Sequence, residues 1–461
     1  MSGVAILLTA YGLLLLGAIV ALFGDMLPRT DETIALFGSF CAGAAAVVFA
    51  IAPETLTFGD KYFYGQIARF TSVGLCVLMV LWTMWISRRV EGWTRKAVAL
   101  AFFSIIGASV LSAAQEFITF LVAFELLAMP SFILVGYSSH HRRGLEAALK
   151  YFLFSVMASM IMTYGISLIY AATGTTFIPQ IDLSGVGPIG ILGLMMLMIG
   201  LFTKVAAAPF HFWAPDAYSG SFAWTLAFVG TVVKAGASVA FILIVWHLFD
   251  QSEVLALVLA VIAVLSMVLG SFAALVQTNI HRILSYSGVV NAGYMMVALV
   301  AIEQVGEQAV IAALIFTFVY ALAVMGVLFI IATEGDQLSD LAGLSKRRPV
   351  AAWGLVLFSL SLIGVPPLVG FFGKLFVFMA GISSPYWIIV VLATVASAIS
   401  AFYYLRMVRA AFFDEPTGEQ TIVESYNAEP SLCANLAIIV TALMVGVLVP
   451  VLAMLFGLIE F

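Results

Sequence analysis

Charge is what this chain has least of. Asp, Glu, Lys and Arg make up 9% of its 461 residues, against roughly a quarter in soluble domains. Hydrophobic residues make up 64%, and mean hydropathy is +1.16. That composition excludes a soluble domain and describes a polytopic membrane protein. The net charge of −5 is small and spread over loops, so no nucleic-acid surface is implied. Cysteine is scarce too. Cys41, Cys76 and Cys433 stand far apart, in or beside apolar runs, and make neither a metal motif nor a disulfide framework. They read as buried, inert thiols. No cysteine cluster suits an iron–sulfur centre, no spaced histidine pair reads as haem ligation, and no Gly-rich or Walker loop suits a nucleotide. No cofactor is therefore expected in this chain, and its energy has to come from an ion gradient or from partner subunits. The start, MSGVAILLTAYGLLLLG, lacks a basic lead and a small-residue cleavage site, so it reads as a first spanning helix rather than a signal peptide.

What is present is a succession of apolar runs. A spanning helix needs about 20 apolar residues, and the sequence holds fourteen such runs: 4–22, 33–52, 68–87, 97–114, 116–137, 147–172, 188–208, 222–248, 254–276, 280–302, 307–333, 349–381, 385–411 and 433–457. The expected fold is all-α, with Gln115 and Glu116 marking a tight turn between the fourth and fifth helices. Fourteen of the nineteen Lys and Arg residues follow odd-numbered runs: Arg29, Arg88, Arg89, Arg95, Lys96, Arg142, Arg143, Lys150, Arg282, Lys346, Arg347, Arg348, Arg406 and Arg409. Only Lys61 and Arg69 follow even-numbered ones. The positive-inside rule then puts odd-numbered loops in the cytoplasm and both termini outside.

Two runs are interrupted. In the seventh, GLFTKVAAAPFHFWAPDAY (200–218), Pro209 and Pro215 flank His211, Trp213 and Asp216, just after Lys204. In the twelfth, SLIGVPPLVGFFGKLFVF (361–378), Pro366 and Pro367 precede Lys374. A broken helix at membrane depth needs protein or a water-filled cavity to receive its freed backbone groups. Breaks five helices apart suggest two five-helix repeats, helices 4–8 and 9–13. An odd number of spans makes the copies inverted, and paired interrupted segments point to a translocation site. The expected divisions are 1–96 (three helices), 97–248 and 249–411 (the repeats), and 412–461 (a polar loop and a last helix).

Four ionisable groups lie deep. Glu125 falls about eight residues, roughly 12 Å, into helix 5, with Pro130 set to kink the helix after it. It either holds two helices together through a lysine or accepts protons at a pKa which that lysine sets; the two roles are compatible. Lys204 is its obvious partner. An opposite charge stabilises both ionised forms while burial favours both neutral ones, so a change of partner alters the hold of Lys204 on its proton. Lys234 lies about twelve residues into helix 8, where Gly230, Ala235 and Gly236 permit close packing and leave room for water. Lys374 has Gly370 and Gly373 beside it. A lone lysine could snorkel to an interface, but three deep lysines with a deep glutamate weigh against that, and a neutral lysine in a low-dielectric channel can take and release protons.

Other polar residues stay open at this stage. His211 either bridges Lys204 to the next lysine or packs with a hydrogen bond. His247 suits an interface, His140 and His141 a solvated loop, and Asp25 an interface. Lys150 either tunes Glu125 or anchors helix 6 in the headgroups.

FLVAFELLAMPSFILVGY, EAALKYF, GLFTKVAAAPFHFWAPDAY, QTNIHRILSYSGVVNAGY (277–294) and GVPPLVGFFGKLFVF together resemble the antiporter-like subunits of respiratory complex I. The likeness covers roughly residues 100–410. Lys374, where the M type carries a glutamate, favours the N type, and the L type's long lateral helix has no counterpart. The resemblance implies a proton-translocating membrane subunit of an NADH (or other donor):quinone oxidoreductase, set among other antiporter-like and quinone-site subunits in a bacterial inner membrane. It implies Glu125 and Lys204 as the proton-loading pair, Lys234 as central relay and Lys374 as the exit-side group, in a fold of two inverted five-helix repeats. The chain departs from the family at SGSFAWT (219–225), at His281 in place of a common lysine, and at Asn291 where a histidine often lies. A water chain through Asn291 would have to replace a histidine relay. The competing readings are a subunit of a multi-subunit Na⁺/H⁺ antiporter and a non-pumping structural spacer.

Overall fold

The computed structural model describes residues 3–26, 30–87, 94–137, 142–183, 185, 187–249, 253–415 and 432–448. Arg29, Arg88, Arg89, His140, His141, most of the 412–431 loop and the end of the last run lie outside the described residues. The first half holds α1 (Gly3–Leu22), α2 (Asp31–Ile51), α3 (Gln66–Ile86), α4 (Thr94–Leu111), α5 (Phe117–Tyr137), α6 (Arg142–Thr173), α7 (Gly187–Lys204), α8 (Trp213–Ser219), α9 (Ala223–Phe228) and α10 (Lys234–Leu248). The second holds α11 (Glu253–Leu275), α12 (Ile280–Leu299), α13 (Ile302–Val305), α14 (Glu307–Ile331), α15 (Leu344–Arg347), α16 (Pro349–Ile363), α17 (Val369–Ile382), α18 (Ile388–Phe413) and α19 (Leu432–Leu443).

Among the described residues, eleven helices are long and apolar enough to cross a membrane, counting Ala223–Leu248 as one. Three expected runs fall outside that set. The tenth, α12, carries His281 and Arg282 in its first turn; the twelfth is divided into the short apolar helices α16 and α17; the last is described only in part. The strictly all-α expectation also misses a hairpin, β1 (Leu56–Phe58) with β2 (Tyr62–Tyr64), paired antiparallel. Its turn carries Gly59 at φ +55°, a conformation that costs glycine little. The run TFGDKYFY is aromatic and alternating, which suits a strand.

Burial grades the helices. In Ala223–Leu248 and in α14, 89% of the most apolar stretch is buried, as expected for helices hydrophobic all round. In α1, α2, α6 and α18 the figure is 33–39%, and Phe40 on α2 and Phe402 on α18 stand exposed. In a membrane protein such faces meet lipid or neighbouring subunits rather than water.

Two loop seams have the same design. The α4–α5 turn is bridged to the segment after α6: Phe117 N donates to Thr176 O (3.0 Å) and Ile178 N to Gln115 O (2.8 Å). The α11–α12 turn is bridged to the segment after α14: Ile280 N donates to Asp336 O (2.6 Å) and Leu338 N to Thr278 O (3.1 Å). The hairpin joins the first seam through Phe63 N to Ala113 O (2.8 Å) and Gln115 N to Lys61 O (2.9 Å).

Candidate functional site

Helix α7 ends at Lys204. Beyond it the backbone leaves the helix, with Ala206 at φ 58°, and resumes at α8. Trp213 pins the break: its indole Nε1 donates to Thr203 O (2.9 Å), a carbonyl freed by the helix end. Ser266 on α11 supplies another partner, accepting from Ala208 N (2.9 Å).

The break leaves Lys204 facing α5 and α6. Its Nζ lies 3.6 Å from Glu125 Oε1 and donates to Ser155 Oγ at 2.7 Å, above the Phe124 ring at 4.9 Å. Ser159 donates to Glu125. The lysine side chain is 6% exposed and the glutamate 30%. The expected partners therefore meet, through two serines that the sequence reading did not single out. At 3.6 Å the pair is in ionic contact, while the short hydrogen bond from Lys204 goes to the hydroxyl.

Lys234 follows a π-helical turn, Val229–Val233. Such a turn inserts one extra residue into the helical ladder and often accompanies function. Gly230 is close-packed there: a Cβ would sit 2.9 Å from the Tyr218 hydroxyl. Gly236 is likewise close-packed, against Leu127 and Ala108.

Two cavities meet at Lys234. The first is lined by Lys204, Ser155, Tyr218, Lys234 and Ser285, among others, with about 30 Å³ open to the centre of a water molecule. The second is lined by Lys234, Asn291, Thr317 and Tyr320, among others, with about 20 Å³. One water needs roughly 10–15 Å³ so measured, and two or more polar partners, so each cavity has room for at least one.

Beyond the second cavity, Asn291 Nδ2 donates to Ser287 O (2.7 Å) and Ser287 Oγ (3.3 Å), and Ser287 pairs with the Tyr404 hydroxyl. Lys374, 6% exposed, donates to Ile363 O (2.9 Å) and Ser397 Oγ (2.8 Å) and lies 5.2 Å from the Tyr294 ring centre. Ile363 ends α16, so the ammonium caps a carbonyl at the negative end of a helix. The close packing of this break depends on Gly370, where a Cβ would fall 1.8 Å from Ser361 O. Lys374 does not snorkel.

His211 is buried, 9% exposed, with Nδ1 lacking a hydrogen-bond partner; its ring lies against Phe212 (5.2 Å) and Tyr286 (6.2 Å). Neither Lys204 nor Lys234 is among its hydrogen-bond partners in the described residues. Among the described residues Lys150 has two carboxylate partners, and Glu125 is not one of them. It pairs with Asp216 (2.8 Å) and Glu146 (2.8 Å), and Asp216 also receives Arg282 at 3.3 Å. Asp216 thus joins α6, α8 and α12. Among the described residues no group of three His, Cys, Asp or Glu side chains is placed to hold a metal.

Residues 114–400 match the family described as NADH:quinone oxidoreductase/Mrp antiporter, TM. The chain is 34% identical over 440 residues to NADH-quinone oxidoreductase subunit N of Rhodospirillum rubrum, covering 89% of this chain and 87% of that one. It is 40% identical over 337 residues to NADH-quinone oxidoreductase subunit N 2 of Acidobacterium capsulatum, covering 68% and 67%. In fold it is similar to a chain of respiratory complex I from Thermus thermophilus, with a TM-score of 0.83 and 29% identity over 96% of this chain and 98% of that one. A chain of the Mrp complex from a Dietzia species reaches the same TM-score at 19% identity, over 99% and 95%; that likeness concerns the fold alone.

Proposed function

This chain belongs to the NADH:quinone oxidoreductase/Mrp antiporter membrane family, and on that footing we propose that it is the N-type proton-translocating subunit of a complex I-type enzyme. Electron transfer occurs in partner subunits, and this chain moves protons. Glu125 and Lys204 form the loading pair, Lys234 the relay, and Lys374 the exit-side group. The observation that carries this reading is the position of Lys234 between two cavities, one shared with Lys204 and the other with Asn291.

The physical sequence runs as follows. Lys204 has two anchors, the Glu125 carboxylate and the Ser155 hydroxyl. Drawing Glu125 away removes the charge that favours the ammonium, while burial favours the neutral amine. A proton then leaves Lys204 for the cavity and reaches Lys234. Asn291, Ser287 and Tyr404 continue a polar path towards Tyr294 and Lys374. His211, without a polar link to either lysine, supports the break rather than carrying protons.

The two loop seams support the inverted repeat of helices 4–8 and 9–13, because each ties the turn between a repeat's first two helices to the segment after its third. By the loop-charge rule the first seam lies outside and the second in the cytoplasm, with both termini outside, in a bacterial inner membrane. The divisions at 96, 248 and 411 follow from the same repeat. The relatives named as NADH-quinone oxidoreductase subunits favour this reading over a Na⁺/H⁺ antiporter subunit.

The test replaces Lys204 with Ala and Glu125 with Gln in the assembled enzyme. The expected result is impaired proton pumping with the complex intact. An unchanged ratio of protons to electrons would reject the proposal, and loss of assembly with normal coupling in what remains would favour a structural spacer.

A further inference from the structure

His281 is a buried imidazole near the site that the proton path described above does not use. It is 4% exposed, and neither Nδ1 nor Nε2 makes a well-aligned hydrogen bond, the Tyr218 carbonyl beside the ring being its one backbone acceptor. Buried polar groups are nearly always well satisfied, so an imidazole held by no more than one poorly aligned backbone contact calls for an explanation. A packing residue at this position would do better as leucine, which carries no desolvation cost.

Its place on α12 supplies one. His281, Ser285 and Gly288 fall at i, i+4 and i+7, which puts them on one helix face, spread over about 10 Å. Ser285 Oγ is also buried without a partner, and Ser285 lines the cavity that holds Lys204 and Lys234. At Gly288 a Cβ would lie 2.4 Å from Lys234 Nζ. The face therefore leads from the imidazole, past an open hydroxyl, to the relay lysine. At its start stand charged groups: Asp336 is close enough to act on the ring by charge, and Arg282 and Lys150 are tied to Asp216.

We propose that His281 is a proton-transfer residue that feeds the Lys204–Lys234 cavity through Ser285, from the face carrying the Asp216 cluster. This rests on the proton-translocating function proposed above. An imidazole binds a proton on one ring nitrogen and releases another from the opposite nitrogen. The released proton passes to the Ser285 hydroxyl or a water beside it, and that group gives up its own proton to the cavity. No net charge remains on the ring, and it resets by exchanging tautomers. Gly288 completes the path by leaving the last position open for the ammonium.

The experiment uses the whole enzyme complex in sealed vesicles. Proton pumping and electron transfer are measured for H281Q, H281L, S285A and K204A, with and without added imidazole as a mobile proton carrier. H281Q keeps a polar side chain of similar size but no proton that titrates near neutrality. The expected result is a fall in pumping rate of about tenfold or more in H281Q and H281L, below the usual worth of a positioned proton-transfer group. Imidazole should recover much of it in H281L and none in K204A. S285A, a loss of one oxygen that leaves packing intact, should slow pumping and enlarge the solvent deuterium effect. Normal pumping in H281Q and S285A beside an impaired K204A would overturn the role of His281 alone. Normal pumping in K204A as well would overturn the function beneath it. A defect in H281L that H281Q repairs without imidazole would assign His281 to packing and also overturn the proposal.

Discussion

The Lys234 ammonium lies where the side chain of residue 288 would be: a Cβ built on Gly288 would stand 2.4 Å from Nζ. The end of a lysine is flexible, so the contact is not a wall. The expected outcome for G288A is normal assembly with a displaced Lys234 and a severalfold loss of pumping, and G288V should be worse. Pumping rates beside the amount of assembled complex check it; equal rates would mean that Lys234 works equally well from another rotamer.

Gly370 predicts a different failure. There a Cβ would meet a backbone carbonyl, Ser361 O, at 1.8 Å, and a carbonyl cannot swing aside as a lysine can. G370A should push α17 off α16 at a cost at or above the ~1–3 kcal/mol typical of overpacking. The subunit level in detergent-solubilised membranes should fall, with G373A, which meets only ordinary contacts at 3.5 Å, as the control.

The serines around Glu125 and Lys204 separate the two states proposed for that pair. S155A removes an acceptor that stabilises the Lys204 ammonium, so the lysine should hold its proton less firmly and release it sooner. S159A removes a donor to the carboxylate and should loosen Glu125 instead. Each change removes one hydrogen bond to a charged group, worth about 1.5–3 kcal/mol. Single-turnover pumping kinetics should show S155A faster in proton release and S159A altered in loading.

Much of this was legible in the sequence, for one reason: in an apolar chain every charge is conspicuous. Glu125, Lys204, Lys234 and Lys374 stood out because a charge in lipid is costly, and the prolines marked both breaks. Ser155, Ser159, Ser285 and Ser287 did not stand out, since serine is common in membrane helices and its partners lie far off in the chain. The π-helical turn before Lys234 had only a glycine and β-branched residues to signal it, which an ordinary helix tolerates as well. The pairing of Lys150 with Asp216 on α8 was not legible because the two are 66 residues apart. The hairpin was hidden inside a loop too short to resemble a domain.

Glu334 yields a stability prediction apart from transport. Its side chain is 2% exposed and receives Arg347 (3.1 Å) and Arg348 (2.7 Å), close to the second seam. E334A would leave two arginines without their carboxylate. The loss should be about 2 kcal/mol, below the ~3–5 of a fully buried pair because Arg347 is 39% exposed. A lower melting temperature of the complex with an unchanged pumping ratio is the expected result.

The two seams also bear on how the chain is made. Residues 115–117 cannot bond with 176–178 until α5 and α6 have both emerged and been inserted. Residues 278–280 wait in the same way for α12 and α14 before meeting 336–338. Each seam is thus a clasp that closes only on a finished pair of helices, and until it closes, the turn preceding that pair carries backbone donors and acceptors still bonded to water. During synthesis the nascent protein passes through two such unlatched stages, one in each half.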